Sequence, residues 1–225
     1  MRFVAISDTH GFHHQLELPP GDVLIHSGDA TKKGELDEIS EFGQWFDSLD
    51  FKTKIFVAGN HDFGFQTEPQ KAIKALRCST RSSIIYLQDQ SYEIPWGGGI
   101  KVWGSPWQPW YHNWAFNLQQ DELSKIWVKI PEDTDILVTH GPPFGAGDQI
   151  FDGTRVGCPH LARRMSSLNV KINLCGHIHE SYGKSRIGNT LVWNSSLCDL
   201  TYKINRPPMV FDWKDGAVFP VEAES

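Results

Sequence analysis

Five short apolar runs in this chain each stop at a polar side chain able to bind a metal. Phe3 to Ser7 ends at Asp8, and Val23 to Ser27 is followed by Gly28-Asp29. Lys54 to Ala58 is followed by Gly59-Asn60, Asp135 to Thr139 by His140, and Val170 to Cys175 by Gly176-His177. Continuous apolar runs of this length are typical of strands buried on both faces of a sheet. Open α/β sheets bind ligands beyond the carboxyl ends of their strands. Five residues far apart in sequence are therefore expected to meet at one edge.

Helical patterns separate the runs. Leu36, Ile39, Phe42 and Trp45/Phe46 fall near a 3.6-residue period. Thr67-Glu68-Pro69 opens a second helix, with Pro69 suited to the first helical position and Ile73 and Leu76 on one face. Asp121 to Ile130 and Pro159 to Leu168 read as two more. Short strands and turns are expected from Ile84 to Val102, and closing strands at Thr190 to Asn194 and Met209 to Asp212. The alternation defines an α/β chain. Its 225 residues suit one domain, 1–225.

The residues flanking the strand ends form five segments: Asp8-Thr9-His10, Gly28-Asp29, Gly59-Asn60-His61-Asp62, Thr139-His140-Gly141 and Gly176-His177-Ile178-His179. Asp8 and His10 are two apart, as are His177 and His179, so each pair faces one side of an extended strand end. Apart from His61 and Asp62, the set offers four histidines, two carboxylates and an amide oxygen. Imidazole mixed with oxygen suits zinc, manganese or iron rather than calcium or magnesium alone. Seven ligands exceed the need of one tetrahedral ion. They suffice for two ions ~3.5–4 Å apart that share a carboxylate, the geometry of two-metal phosphoryl hydrolysis. Gly28, Gly59 and Gly176 precede proposed ligands, where close backbone approach is needed.

In this order the segments resemble the calcineurin-like metallophosphoesterase superfamily. The resemblance implies a four-layer α/β/β/α sandwich with two mixed β-sheets. It implies that Asp8, His10, Asp29 and His179 hold one divalent ion and that Asp29, Asn60, His140 and His177 hold the other, with manganese the ion to supply in assays. It also implies that His61 protonates the leaving oxygen while Asp62 orients it. The run Trp103 to Trp110, with Trp114-Ala115-Phe116-Asn117 and Gly141-Pro142-Pro143, resembles the metallophosphoesterase-domain-containing subfamily. That subfamily includes phosphodiesterases of 2′,3′- and 3′,5′-cyclic nucleotides. Its members that have lost the first His of G-H-x-H are feeble catalysts, and His177 is present here.

Bland readings stand beside these. His61 has a structural alternative, orienting Asn60. The tryptophan cluster, Trp107 included, is either core packing or a wall for stacking a base. Arg155 is either a phosphate clamp or a surface arginine. His26 reads as a satisfied core residue, and His13 and His14 as solvated loop residues. Cys78, Cys158, Cys175 and Cys198 have no CxxC spacing and read as free thiols of a reducing compartment.

The expected activity is hydrolysis of small phosphodiesters, cyclic nucleotides foremost. The alternatives are a phosphomonoesterase or protein phosphatase, and a nucleotide-binding scaffold with weak activity. The formal net charge of −6 and the lack of a Lys/Arg-rich stretch disfavour duplex nucleic acid as a partner. No apolar run approaches the ~20 residues of a membrane span, and Met1 leads straight into the first strand without a signal-peptide pattern. The expectation is a cytoplasmic enzyme with a small-molecule partner; a homodimer is compatible with it.

Overall fold

The computed structural model describes residues 1–77 and 82–222, so Cys78 lies outside the described residues. The first four strands, β1 (Arg2–Ile6), β2 (Val23–His26), β3 (Thr53–Phe56) and β4 (Ile84–Tyr86), run parallel in one sheet. The chain then builds a second sheet from β5 (Gln90–Glu93) and β6 (Lys101–Ser105). A small two-stranded ribbon follows, β7 (Gln108–Pro109) with β8 (Asn117–Leu118). The second sheet is completed by β9 (Ile136–Thr139), β10 (Ile172–Cys175), β11 (Gly183–Ile187) and β12 (Thr190–Asn194). The last two strands, β13 (Met209–Lys214) and β14 (Ala217–Val221), return to the first sheet. Strand orders are β14-β13-β1-β2-β3-β4 and β11-β12-β10-β9-β6-β5, each mixed parallel and antiparallel.

Side-chain alternation turns these strands into layers. Along β1, Phe3 and Ala5 face one way and Val4 and Ile6 the other. Phe3, Ala5, Val23, Ile25 and Ile55 pack against Val102, Ile136, Val138, Ile172, Leu174 and Trp193 of the second sheet. The opposite face of the first sheet buries Ile39, Phe42 and Phe46 of α1 (Leu36–Ser48). It also takes Phe65 of the one-turn helix α2 (Gly64–Thr67) and Leu76 of α3 (Pro69–Leu76). The outer face of the second sheet buries Leu123 and Trp127 of α4 (Gln120–Trp127), and Leu161 and Met165 of α5 (Pro159–Ser166). The result is an α/β/β/α sandwich in which the inner parallel strands β1, β2, β3, β9 and β10 are buried on both faces. Full burial of a Phe or Leu side chain is worth ~1.5–3 kcal/mol, so the layer order is set by these three clusters.

Helix starts carry their usual signals. Glu38 accepts from the Glu35 amide at 3.3 Å, Glu122 from the Gln119 amide at 3.0 Å, and Pro69 and Pro159 begin α3 and α5. The observed α4 and α5 end two or three residues before the expected limits. The polar strand β11 and the Pro-containing β14 were not anticipated.

The two sheets join near their carboxyl ends. Ser7 forms a parallel bridge with Ser196, and the Leu197 amide donates to the Ser7 carbonyl at 3.0 Å. The strand-end residues of both sheets thus share one edge. Among the described residues, no helix is long and apolar enough to cross a membrane. Cys158, Cys175 and Cys198 are buried free thiols.

Candidate metal centre

All seven expected ligands meet at this edge. Asp8, His10 and His179 converge as one group, and Asp29, His140 and His177 as another, with the ligand atoms of each group within 4.8 Å of one another. His10 Nε2 lies 3.9 Å from both Asp8 Oδ1 and Asp29 Oδ2, so the groups are contiguous. Asn60 Oδ1 is 2.9 Å from His140 Nε2, which is 3.4 Å from Asp29 Oδ2. Asp29, centred between the groups, is held by the His61 amide, which donates to its Oδ1 at 2.7 Å.

The backbone is bent to reach this arrangement. Asp8, His10, Asp29 and His177 all have left-handed φ, between 44° and 67°. Each such residue costs of order 1–3 kcal/mol unless its surroundings impose it. The imposing contacts are visible: the Asp8 amide donates to the Gly28 carbonyl at 2.9 Å and the His10 amide to the Asp29 carbonyl at 3.0 Å. At Gly176 a Cβ would lie 2.1 Å from Asp8 Oδ2, so only glycine lets the second sheet approach that carboxylate.

The histidine tautomers suit cation binding. A carbonyl only accepts, so His140 Nδ1–H donates to Ser27 at 3.0 Å and His179 Nδ1–H to Asp199 at 3.1 Å. Each ring then turns Nε2 toward the cluster, where His179 Nε2 is 3.3 Å from His10 Nε2 and 3.2 Å from Asp8 Oδ1. Burial lowers His10 to about 4 and His177 to about 3, which keeps both neutral and free to ligate. Burial opposes the charge on Asp8, but the His179 hydrogen bond and neighbouring imidazoles hold it well below the usual carboxylate range. Burial also opposes ionisation of Asp29, which His140 and His61 hold low. Burial pushes His140 down, but the charge and hydrogen bond of Asp29, with Asp8 and the Ser27 carbonyl, together outweigh it and raise it to about 9. Buried anions, neutral imidazoles and lone pairs facing one another fit divalent cations.

His61 lies beside both groups. Its Nδ1–H donates to the Lys32 carbonyl at 2.9 Å, and its ring stacks on Trp114 with centroids 4.2 Å apart. Asp62 does not orient that ring, contrary to expectation. Its buried carboxylate accepts from the amides of Gly59 at 2.8 Å, Ala30 at 3.3 Å and Thr31 at 3.0 Å, and from the Thr31 hydroxyl at 2.7 Å. Burial, then the charge of Asp29, raises it to about 6. Asp62 braces the turns that carry Asp29 and Asn60.

A cavity of ≈ 330 Å³ opens over the centre. Its walls include Asp29, Asn60, His61, His177 and His179, together with Tyr111, His112, Trp114 and Tyr202. Neither Trp107 nor Arg155 is a wall. Trp107 donates from Nε1 to Asp89 at 3.2 Å and packs edge-on against Phe116, a core role. Arg155 is drawn away by buried Asp148, its Nη1 2.6 Å from Oδ1. Trp114 belonged to the aromatic run singled out in the sequence, but Tyr202 had no local signal; the fold delivers it from the segment after β12, 4.8 Å from His10. His26 is a satisfied core residue, with Nε2 3.0 Å from the Thr9 hydroxyl and Nδ1 accepting from the Gly28 amide at 3.2 Å. His14 is exposed, whereas His13 is buried, which corrects its reading as a solvated loop residue.

Such a sandwich, with Asp, Asn and His gathered beyond the carboxyl ends of both sheets, defines a metallophosphoesterase. The family described as calcineurin-like phosphoesterase matches residues 1–181, and the chain belongs to it. It is 37% identical to human metallophosphoesterase domain-containing protein 1, over 94% of this chain and 70% of that one. It is 35% identical to a UPF0046 protein of Caenorhabditis elegans, over 94% of this chain and 74% of that one. The crystal structure of TT1561 of Thermus thermophilus shares the fold, with TM-score 0.63 and 17% identity over 89% of this chain and 90% of that one. The chain is a metallophosphoesterase-family hydrolase.

Proposed function

We propose that this protein is a metal-dependent phosphodiesterase acting on small diesters, cyclic nucleotides among them. Asp8, His10, Asp29 and His179 would hold one divalent cation, and Asp29, Asn60, His140 and His177 a second; manganese, iron and zinc suit this donor set. Bound there, the cations supply Lewis-acid polarisation of the phosphoryl group and activation of water.

The carrying observation is the charge of the cavity wall. Among the described residues it holds Asp29, Asn60, His177 and His179 from the two ligand groups, with His61 and Glu180, but no lysine or arginine. A phosphomonoester dianion or phosphoprotein would call for additional cationic side chains, whereas a diester carries a single negative charge. Lys32 is near, lining an adjoining hollow with His10, Phe12, His61 and Tyr202.

His61 supplies the proton. Its Nδ1–H is committed to the Lys32 carbonyl, so the proton it can give away is the one Nε2 carries in the imidazolium. Trp114 fixes the plane of the ring. The departing alkoxide takes this proton as its bond to phosphorus breaks. Tyr111, Trp114 and Tyr202 offer aromatic faces to a base or other flat group.

The test is turnover of bis-p-nitrophenyl phosphate against p-nitrophenyl phosphate in the presence of manganese. Higher kcat/KM for the diester is expected. A preference for the monoester would replace this reading with a phosphomonoesterase, and no turnover of either would leave a binding protein.

A further inference from the structure

A second cleft, ≈ 520 Å³ and larger than the cavity over the centre, opens from the same edge. The two share Tyr111, His177, Glu180 and Leu200 as walls, so a substrate at the ligand groups reaches both. The rest of the cleft is apolar, with Trp110, Ile150, Phe151, Val156 and Ile178 prominent, and no lysine or arginine among the described residues. His61 is not among its walls.

These apolar side chains are held on display. Phe151 is 84% exposed and Trp110 55%. The loop bearing Ile150, Phe151 and Val156 is closed by its own hydrogen bonds: the Ile150 amide donates to the Thr154 carbonyl at 3.0 Å, the Gly153 amide to the Ile150 carbonyl at 2.9 Å, and the Val156 amide to the Asp148 carbonyl at 3.0 Å. The Arg155–Asp148 ion pair clamps its base, and Asp148 also accepts from the Gly145 amide at 2.9 Å and the Gly157 amide at 3.2 Å. A contiguous exposed apolar surface beside a polar centre marks a binding site.

Resting on the phosphodiesterase reading, we infer that this cleft takes a hydrocarbon ester group of the substrate, making diesters with one alkyl or acyl-bearing substituent the favoured class. The continuity with the centre identifies the occupant as part of the substrate. The wall chemistry identifies its nature: a nucleobase edge would find few polar partners here beyond Glu180, the His177 ring and the Tyr111 hydroxyl. Because the cleft lies away from His61, the group seated in it stays on phosphorus. Water adds to phosphorus, the P–O bond on the His61 side breaks, the departing alcohol takes a proton, and the alkyl phosphate monoester remains.

The experiment uses manganese-loaded protein and a series of p-nitrophenyl alkyl phosphates: ethyl, butyl, hexyl and octyl. Each buried methylene is worth ~0.8 kcal/mol, so KM should fall roughly threefold to fourfold per methylene until the cleft is full. In the Ile150→Ser/Phe151→Ser double variant the ratio of ethyl to octyl KM should shrink at least tenfold. Turnover with a flat series in the wild type would overturn the inference while leaving the phosphodiesterase reading intact. A thymidine ester with lower KM than the octyl ester, lost in the same variant, would overturn it in favour of a nucleoside. Calorimetric titration with ethyl- and octylphosphonate reads the cleft without catalysis. If no diester is turned over, the phosphodiesterase reading fails, and equal affinities for the two phosphonates would then sink the cleft as well.

Discussion

Asp62 follows His61 in the chain, yet its carboxylate faces away from the His61 ring and ties together the amides of Gly59, Ala30 and Thr31. The bonded groups lie in the turns after β2 and β3, where Asp29 and Asn60 sit. The residue positions the centre through backbone and does not tune the proton on His61. Removing it deprives three buried amides and the Thr31 hydroxyl of this acceptor. Asp62→Ala should therefore cost about 3 kcal/mol of stability or more, together with weaker metal binding. Denaturant unfolding of the metal-free protein reads this; unchanged stability with lost turnover would return Asp62 to a catalytic role.

His61 should matter in proportion to the leaving group's need for a proton. A ribose alkoxide needs one, and p-nitrophenolate hardly does. His61→Ala is expected to slow cyclic-nucleotide hydrolysis by ~10²–10⁴-fold, nitrophenyl diesters much less, with metal content unchanged. Equal losses on both substrates would show that His61 positions the phosphoryl group. Loss of metal would make it a ligand, a role its closeness to His10 and Asp29 keeps in view.

The two ligand groups predict a stoichiometry and an asymmetry. Elemental analysis after manganese reconstitution should approach two equivalents per chain. His177→Ala removes a ligand of one group and should retain one ion with most activity gone. Asp29→Ala should weaken both sites, since Asp29 stands 3.9 Å from His10 and 3.4 Å from His140. One equivalent at saturating manganese in the unaltered protein would rule out the binuclear centre.

What could be read from the sequence follows burial. The inner strands β1, β2, β3, β9 and β10 are covered on both faces, so they appear as apolar runs, and their ends mark the ligand residues. Strands β11 and β14 lie at sheet edges; GKSRI alternates with exposed polar residues and AVFPV contains Pro220, so neither forms a clear run. That the seven candidate ligands would meet at one edge was legible because strand direction places them. The substrate walls were not. Trp107 and Trp114 lie in one aromatic stretch, and only packing against Phe116 or His61 separates the core residue from the cavity residue. Arg155 looked available to phosphate because its partner Asp148 carries no local signal of burial. The role that the resemblance implied for Asp62 differs from its contacts because a motif does not say which way a carboxylate turns, and this one turns to backbone amides.

His13 offers a test of acid stability away from the ligands. Its ring is buried between His14, Phe42 and Trp45, and neither ring nitrogen has a hydrogen-bond partner among the described residues. Burial, with the neighbouring His14, lowers it to about 4, against about 6.5 for a free imidazole. The folded state thus binds its proton less readily than the unfolded state. The sign follows: stability is complete above the unfolded value and declines as pH falls through about 6.5 toward about 4. Near pH 5 the loss from this one ring is about 2 kcal/mol. His13→Phe keeps an aromatic ring in the same packing and removes the titration. The variant should match the unaltered protein within about 1 kcal/mol near pH 8 and exceed it by about 2 kcal/mol more near pH 5. Urea unfolding of both proteins across that range, with a chelator present, measures the difference. A pH-independent gap would show that the His13 ring is neutral, or charged, to the same extent in both states.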